Sequence, residues 1–166
     1  MSKSAEPKQS KSLLRVIAEA EKLGLGITPL RLDDGTRTAA DAAAACNCTV
    51  GQIVKSVIFR VTGSDRHVLF LTAGDNRVDP AKASAAAGVT LEKADAAGVR
   101  KHTGFAIGGV SPLGHLTPIE TFLDPDILQY ETIWAAAGTP HHVFEIAPQA
   151  LANALSPRLA DFTLKS

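Results

Sequence analysis

At 166 residues and 17.3 kDa the chain has the length of one domain, enough to bury a core without disulfides or a structural metal. Hydrophobic residues make up 45%, much of it alanine and only 5% aromatic, and no apolar stretch approaches the roughly 20 residues of a membrane-spanning helix, the profile of a soluble globular domain. Lys and Arg (17) balance Asp and Glu (17), so the chain carries no global field to hold a long nucleic-acid duplex, and any nucleic-acid contact must be local.

Residues 1–11 are rich in Ser and Lys, lack the apolar segment of a secretory leader, and read as a disordered tail before a single domain over 12–166, with the cytoplasm as the expected location. Ser12 is positioned to cap a helix whose apolar residues Leu13, Leu14, Val16, Ile17, Ala20 and Leu23 recur at helical spacing, with Gly24 and Gly26 as its stop. A short strand over Ile27–Leu32, a turn at Asp33-Asp34-Gly35 and an alanine-rich helix capped by Thr38 and running to about Cys48 follow. Cys46 and Cys48 are two apart, a poor spacing for a disulfide and half a metal site at most, so they read as reduced thiols.

Ile53–Thr62 and His67–Ala73 are rich in Val, Ile, Leu and Phe and flank Gly63-Ser64-Asp65-Arg66, the pattern of a hairpin. Asp79-Pro80 opens a helix to about Ala87, stopped by Gly88. The pattern then predicts a short helix over Glu92–Ala97, strands at Phe105–Ile107, Ile119–Leu123, Thr132–Ala136 and Val143–Ile146, and a last helix from Pro148 to about Leu155. Several neighbouring strands lack the helical crossover that parallel pairing requires, so the expected class is α+β with α/β-like layers: a mixed β-sheet flanked by helices.

Between Thr103 and His115 lie four glycines and a proline. Gly108 and Gly109 can bring backbone N–H groups close to a ligand and Pro112 stiffens the segment, which suits the holding of a carbonyl or developing oxyanion; a tight connection between strands explains the same composition. The loop lacks the Gly-Lys-Ser/Thr ending of a phosphate-binding P-loop. Lys55 stands on the hairpin's first strand, where a period of two places it on one face with Ile53, Val57 and Phe59; it either projects into a cleft or reaches solvent along its stem. His115 and His142 are candidates to hydrogen-bond a substrate or are ordinary surface histidines. No metal motif, GxSxG elbow or cofactor fingerprint is present, so no metal and no cofactor are expected.

Three segments together resemble the YbaK and prolyl-tRNA-synthetase-associated editing domains: Val54-Lys55-Ser56 in a strand, Gly108-Gly109-Val110-Ser111-Pro112 with its Gly-x-x-x-Pro spacing, and Trp134-Ala135-Ala136-Ala137-Gly138. Order and spacing agree from about Leu13 to Leu155. The resemblance implies a free-standing trans-editing deacylase that removes wrongly attached amino acids from tRNA, with Lys55 as the residue most directly tied to activity and Gly108, Gly109, Ser111 and Pro112 lining the aminoacyl pocket. His115 and His142 are added as substrate contacts. Implied partners are mischarged tRNA, in particular tRNA(Pro), and prolyl-tRNA synthetase. The ester is already activated toward water, so orientation and charge stabilisation suffice: Lys55 holds the terminal adenosine or its phosphate, amides near Gly108 and Gly109 orient the carbonyl, and water attacks.

Members similar to the cysteinyl-specific deacylases carry a tyrosine near the position of Leu32 and an aspartate near that of Val143; both are apolar here, which points to alanine or 2-aminobutyrate over cysteine. Two other readings are a non-catalytic nucleic-acid-binding module on the same fold, with Arg31, Arg37, Lys82, Arg100 and Lys101 as its local cations, and a small-molecule esterase. Zero net charge and few aromatics weigh against the first, and the lack of a nucleophile motif against the second.

Overall fold

The computed structural model describes residues 10–165; of the tail expected over residues 1–11, residues 1–9 lie outside them, whereas Ser10 and Lys11 belong to the cap and first turn of a helix. The first helix, α1 (Lys11–Lys22), begins two residues earlier than the sequence implied. Ser10 is the cap, accepting from the N–H groups of Ser12 and Leu13, while the Ser12 hydroxyl donates to the Gly138 carbonyl at 2.6 Å and so works inside the helix. Leu13, Val16 and Ala20 form its buried stripe.

Next come β1 (Leu30–Arg31), α2 (Ala39–Cys46), a 3-10 turn at Val50–Gln52, β2 (Val54–Val61) and β3 (His67–Ala73). Thr38 and Asp41 form a reciprocal capping box at the start of α2, and Asn47 ends it with a left-handed φ of 56°. Then follow β4 (Asn76–Val78), α3 (Pro80–Ala87), β5 (Leu91–Lys93), α4 (Ala96–Thr103), β6 (Glu120–Leu123) and a 3-10 turn at Pro125–Gln129. The chain continues with β7 (Ile133–Ala136), β8 (His142–Ile146), α5 (Pro148–Leu155), β9 (Arg158–Leu159) and β10 (Thr163–Lys165).

The main sheet has the order β5-β2-β3-β6-β9; β5, β2 and β3 are antiparallel, whereas β6 joins β3, and β9 joins β6, in parallel. It is therefore a mixed sheet, and with five α-helices among the described residues the domain is α+β, as expected. A second antiparallel sheet runs β1-β8-β7, and β4 pairs with β10. One face of the β2–β3 hairpin contributes Val54, Ile58, Leu69 and Leu71 to a core shared with α1, Phe105, Phe144 and Leu151. The other contributes Phe59, Val68 and Phe70, packed on Phe122 and Phe162; each fully buried phenyl ring stabilises the fold by about 2 kcal/mol or more.

Two local expectations fail for identifiable reasons. Leu91–Lys93 is a strand because it pairs with Phe59–Val61 at the sheet edge, which postpones the helix to Ala96, behind the Asp95 side chain that accepts from Gly98 N–H. Phe105–Ile107 forms no strand: Gly104 ends α4 with φ 83°, and Phe105 at once drops into the core, its amide bonded to the Thr103 hydroxyl. The strand expected over Ile27–Leu32 pairs with β8 only at Leu30 and Arg31. Among the described residues no helix is long and apolar enough to cross a membrane.

Candidate active site

An isolated parallel bridge joins Ile53, the residue before β2, to Trp134 of β7, which pairs along its length with β8. The parting of the two sheets leaves a cleft of about 340 Å³ along the open edge of β2. Val54, Lys55 and Ser56 border it on one side; Ala135 and Ala136 of β7, with Leu32 and Val143, border it on another. Thr36, Arg37 and Thr38, which lead into α2, stand at a third side, and Gly108 and Val110 of the glycine-rich loop at a fourth. The apolar wall continues into a small cluster of Leu32, Ala42, Ala43 and Ile53, with Trp134 and Val143 packed against it.

The Lys55 ammonium donates to the Asn76 carbonyl at 2.6 Å. Burial lowers its pKa below the usual lysine value, Asp75 opposes that shift, and Arg77 adds to it. The lysine is thus tied to the first residue of β4 rather than extended into solvent. Asn76 is itself fixed: its side-chain amide donates to Asp124 Oδ2 and to Asp126 Oδ2, both at 2.8 Å. Asp124 is buried and also accepts from the Thr72 hydroxyl and the Ala73 amide, each at 3.1 Å, and from the Asp126 amide at 3.0 Å. Neither Asn76 nor Asp124 stands out in the sequence. Asp124-Pro125 reads as a turn opener, and nothing in its local pattern says that its carboxylate points inward to residues some fifty positions away.

The glycine-rich loop divides into a wall and its backing. Gly108, at φ 93°, borders the cleft. Gly109 instead lies against the Thr139–Pro140 backbone, where an added Cβ would come within 2.7 Å of the Thr139 carbonyl carbon, and its amide is committed to the Ala106 carbonyl at 2.9 Å. Ser111 and Pro112 are buried behind the wall. His115 Nε2 donates to the Ser111 carbonyl at 2.6 Å with its ring edge-on to Phe105, and burial pushes its pKa down to about 4. From α1, Arg15 clamps the same loop, donating to the carbonyls of Gly114 at 2.6 Å and Thr103 at 3.3 Å, with its guanidinium over the Phe105 ring. His142 Nδ1 pairs with the Thr139 hydroxyl at 2.7 Å, one residue from Val143 of the cleft wall, and its pKa is lowered by burial and then by Arg31 and His141.

Of the residues singled out from sequence, Lys55 and Gly108 therefore meet at one cleft, and Ser111, Pro112 and His115 stabilise the loop from behind. Leu32 and Val143, both read from sequence as positions that bear on the choice of amino acid, border the same space. Among the described residues no three His, Cys, Asp or Glu side chains gather to hold a metal ion.

The model for a family described as an aminoacyl-tRNA editing domain matches residues 33–154. YwhH of Bacillus subtilis (strain 168), an uncharacterized protein, is 29% identical over 121 residues, covering 73% of this chain and 76% of its own. EbsC of Enterococcus faecalis (strain ATCC 700802 / V583), described as a candidate Cys-tRNA(Pro)/Cys-tRNA(Cys) deacylase, is 28% identical over 116 residues, covering 69% and 70%. A crystal structure described as that of a candidate trans-editing enzyme for prolyl-tRNA synthetase superposes with a TM-score of 0.87 at 42% identity, over 96% of this chain and 99% of that one.

Proposed function

The chain belongs to the aminoacyl-tRNA editing domain family, hydrolases of aminoacyl-tRNA ester bonds, and from that premise we propose that it clears small, wrongly attached amino acids from tRNA(Pro). The observation that carries this reading is the cleft itself, with an anchored cation and a glycine turn at its rim and short apolar side chains in its wall. The amino-acid side chain lies toward Leu32, Ala136 and Val143, a lining suited to alanine, 2-aminobutyrate or cysteine. Kinship with EbsC and with the candidate trans-editing enzyme supports tRNA(Pro) as the carrier. Prolyl-tRNA synthetase is then the source of the mischarged substrate and the expected partner, and the cytoplasm is where the two meet.

Hydrolysis joins a water oxygen to the ester carbonyl carbon, breaks the bond to the ribose oxygen, and passes a water proton to that oxygen. Lys55 supplies fixed positive charge to the 5′ phosphate of the terminal adenosine or to the developing oxyanion, which needs no reorganisation because the Asn76 carbonyl already holds the ammonium. The Gly109 amide is bonded within its turn, so any backbone contribution of the loop comes from elsewhere in the Gly108 turn, a refinement of the role expected from sequence. Ser111, Pro112 and His115 serve by keeping that turn in place.

The test is to charge tRNA(Pro) separately with proline, alanine, cysteine, serine and 2-aminobutyrate and follow ester loss. Selective loss of alanine, 2-aminobutyrate or cysteine, removed by Lys55→Ala in a protein that still folds, is the expected result. Unchanged hydrolysis by Lys55→Ala overturns the role of Lys55, and binding without turnover would favour a nucleic-acid-binding module.

A further inference from the structure

A second depression, of about 400 Å³, lies on the other side of the Ile107–Gly108 turn, between β2, β5, the start of α3 and the segment leading into α4. Its walls are Val57, Phe59, Pro80, Leu91 and Val99, and Ile107, 57% exposed, overhangs it. It abuts the Lys55 cleft: Ser56, Val57, Gly108 and Val110 border both.

The shared border is also a gap in the sheet. Strand β2 pairs with β5 over Phe59–Val61 alone, and the bridge to β7 lies at Ile53, the residue before the strand. The Val61 amide bonds to Arg66 on the β3 side and the Thr62 amide to Thr90 on the β5 side. Backbone alternation therefore turns the N–H and C=O of even-numbered β2 residues away from β3. For Ser56 that direction leads into the gap, where neither β5 nor β7 supplies a ladder partner. The N–H donor and the C=O acceptor of Ser56 thus stand side by side at the border of an apolar slot.

We propose that this slot receives the purine ring of the terminal adenosine while the aminoacyl group occupies the Lys55 cleft; the proposal rests on the deacylase reading above. The substrate has two parts joined at the ester: a small amino acid and a flat base with apolar faces and a polar edge. The protein offers two abutting spaces in matching order. Val57, Leu91 and Ile107 cover the faces of the ring, the Ser56 backbone meets a polar edge, and the ester falls at the Gly108 turn, next to Lys55.

The probes are two non-hydrolysable amides, 3′-alanylamido-3′-deoxyadenosine and its cytidine counterpart, tested as inhibitors of Ala-tRNA(Pro) deacylation. The adenosine amide is expected to inhibit competitively and at least about ten-fold better than the cytidine amide. Ile107→Asp and the milder Ile107→Ser are expected to erase that preference and to raise KM for the tRNA, with an unchanged unfolding midpoint because Ile107 is exposed. Equal inhibition by the two amides, inhibition by neither, or a preference that survives both substitutions overturns the proposal. A wild-type protein that hydrolyses no mischarged tRNA overturns the deacylase reading instead, so the two failures are distinguishable.

Discussion

Lys55 and Asp124 hold Asn76 from its two ends: the lysine takes the backbone carbonyl, the aspartate the side-chain amide. The position of the charge at the cleft therefore depends on a buried carboxylate that does not itself border the cleft.

Replacing Asp124 by Ala leaves the Thr72 hydroxyl and the Ala73 amide without their acceptor and takes from the Asn76 side-chain amide one of its two. The expected loss of stability is about 3 kcal/mol, measured by urea unfolding. In the folded fraction, single-turnover deacylation is expected to slow about ten-fold because the anchor of Lys55 is loosened, and Asp124→Asn, which keeps one acceptor oxygen, recovers part of both. A destabilised variant that deacylates at the wild-type rate would break the link between Asp124 and Lys55.

Adjacent glycines respond differently to a methyl group. Gly109→Ala drives a Cβ into the Thr139–Pro140 backbone, so the loop must move, at a cost of roughly 1–3 kcal/mol and a lower unfolding midpoint. At Gly108 the space is open and only the strain of a positive φ remains, about 1 kcal/mol, so Gly108→Ala raises KM more than it lowers stability. Equal loss of stability in the two variants would contradict this division.

Val143→Ala widens the cleft opposite Lys55. Relative hydrolysis is expected to shift from alanyl toward bulkier aminoacyl esters by about ten-fold, in keeping with roughly 1–3 kcal/mol for a change of one methylene in an apolar pocket. The measurement is the ratio of kcat/KM for 2-aminobutyryl and alanyl esters on the same tRNA; an unaltered ratio removes Val143 from the specificity wall.

Acid should weaken the fold through His115. Its imidazole is held neutral, chiefly by burial, with a nearby Arg15 charge acting in the same direction and the bond to the Ser111 carbonyl opposing both. Above pH about 6.5 neither folded nor unfolded chain carries the proton; between about 6.5 and about 4 only the unfolded chain takes it up, so stability falls with pH, and the loss levels off below about 4. The full contribution is about 3 kcal/mol. His115→Gln keeps a donor for Ser111 and has no such proton, so its stability should drop by roughly 2–3 kcal/mol less than that of the wild type between pH 7 and pH 4.5.

Features set by near neighbours were legible in the sequence. The Thr38 helix cap, the Asp79-Pro80 helix start and the hairpin around Gly63–Arg66 all follow from residues within a few positions of one another. The face shared by Lys55, Val57 and Phe59 follows from period two alone. What escaped depends on distant partners. Leu91–Lys93 becomes a strand only because β2 offers it an edge, β10 exists because β4 does, and Asp124 acquires its role from Thr72, Ala73 and Asn76. Composition marked the glycine-rich loop as special, but its division into wall and backing depends on how Arg15, Phe105 and Thr139 pack against it.

The pairing of β4 with β10 has a consequence for how the protein is made. Asn76, the anchor of Lys55, faces Lys165 across that pair, and Lys165 in turn grips Asp126, which also binds the Asn76 side chain. A nascent chain that has emerged only as far as the hairpin already carries its lysine but not the frame that aims it. Activity should therefore appear only once residues 163–165 have emerged and closed over β4.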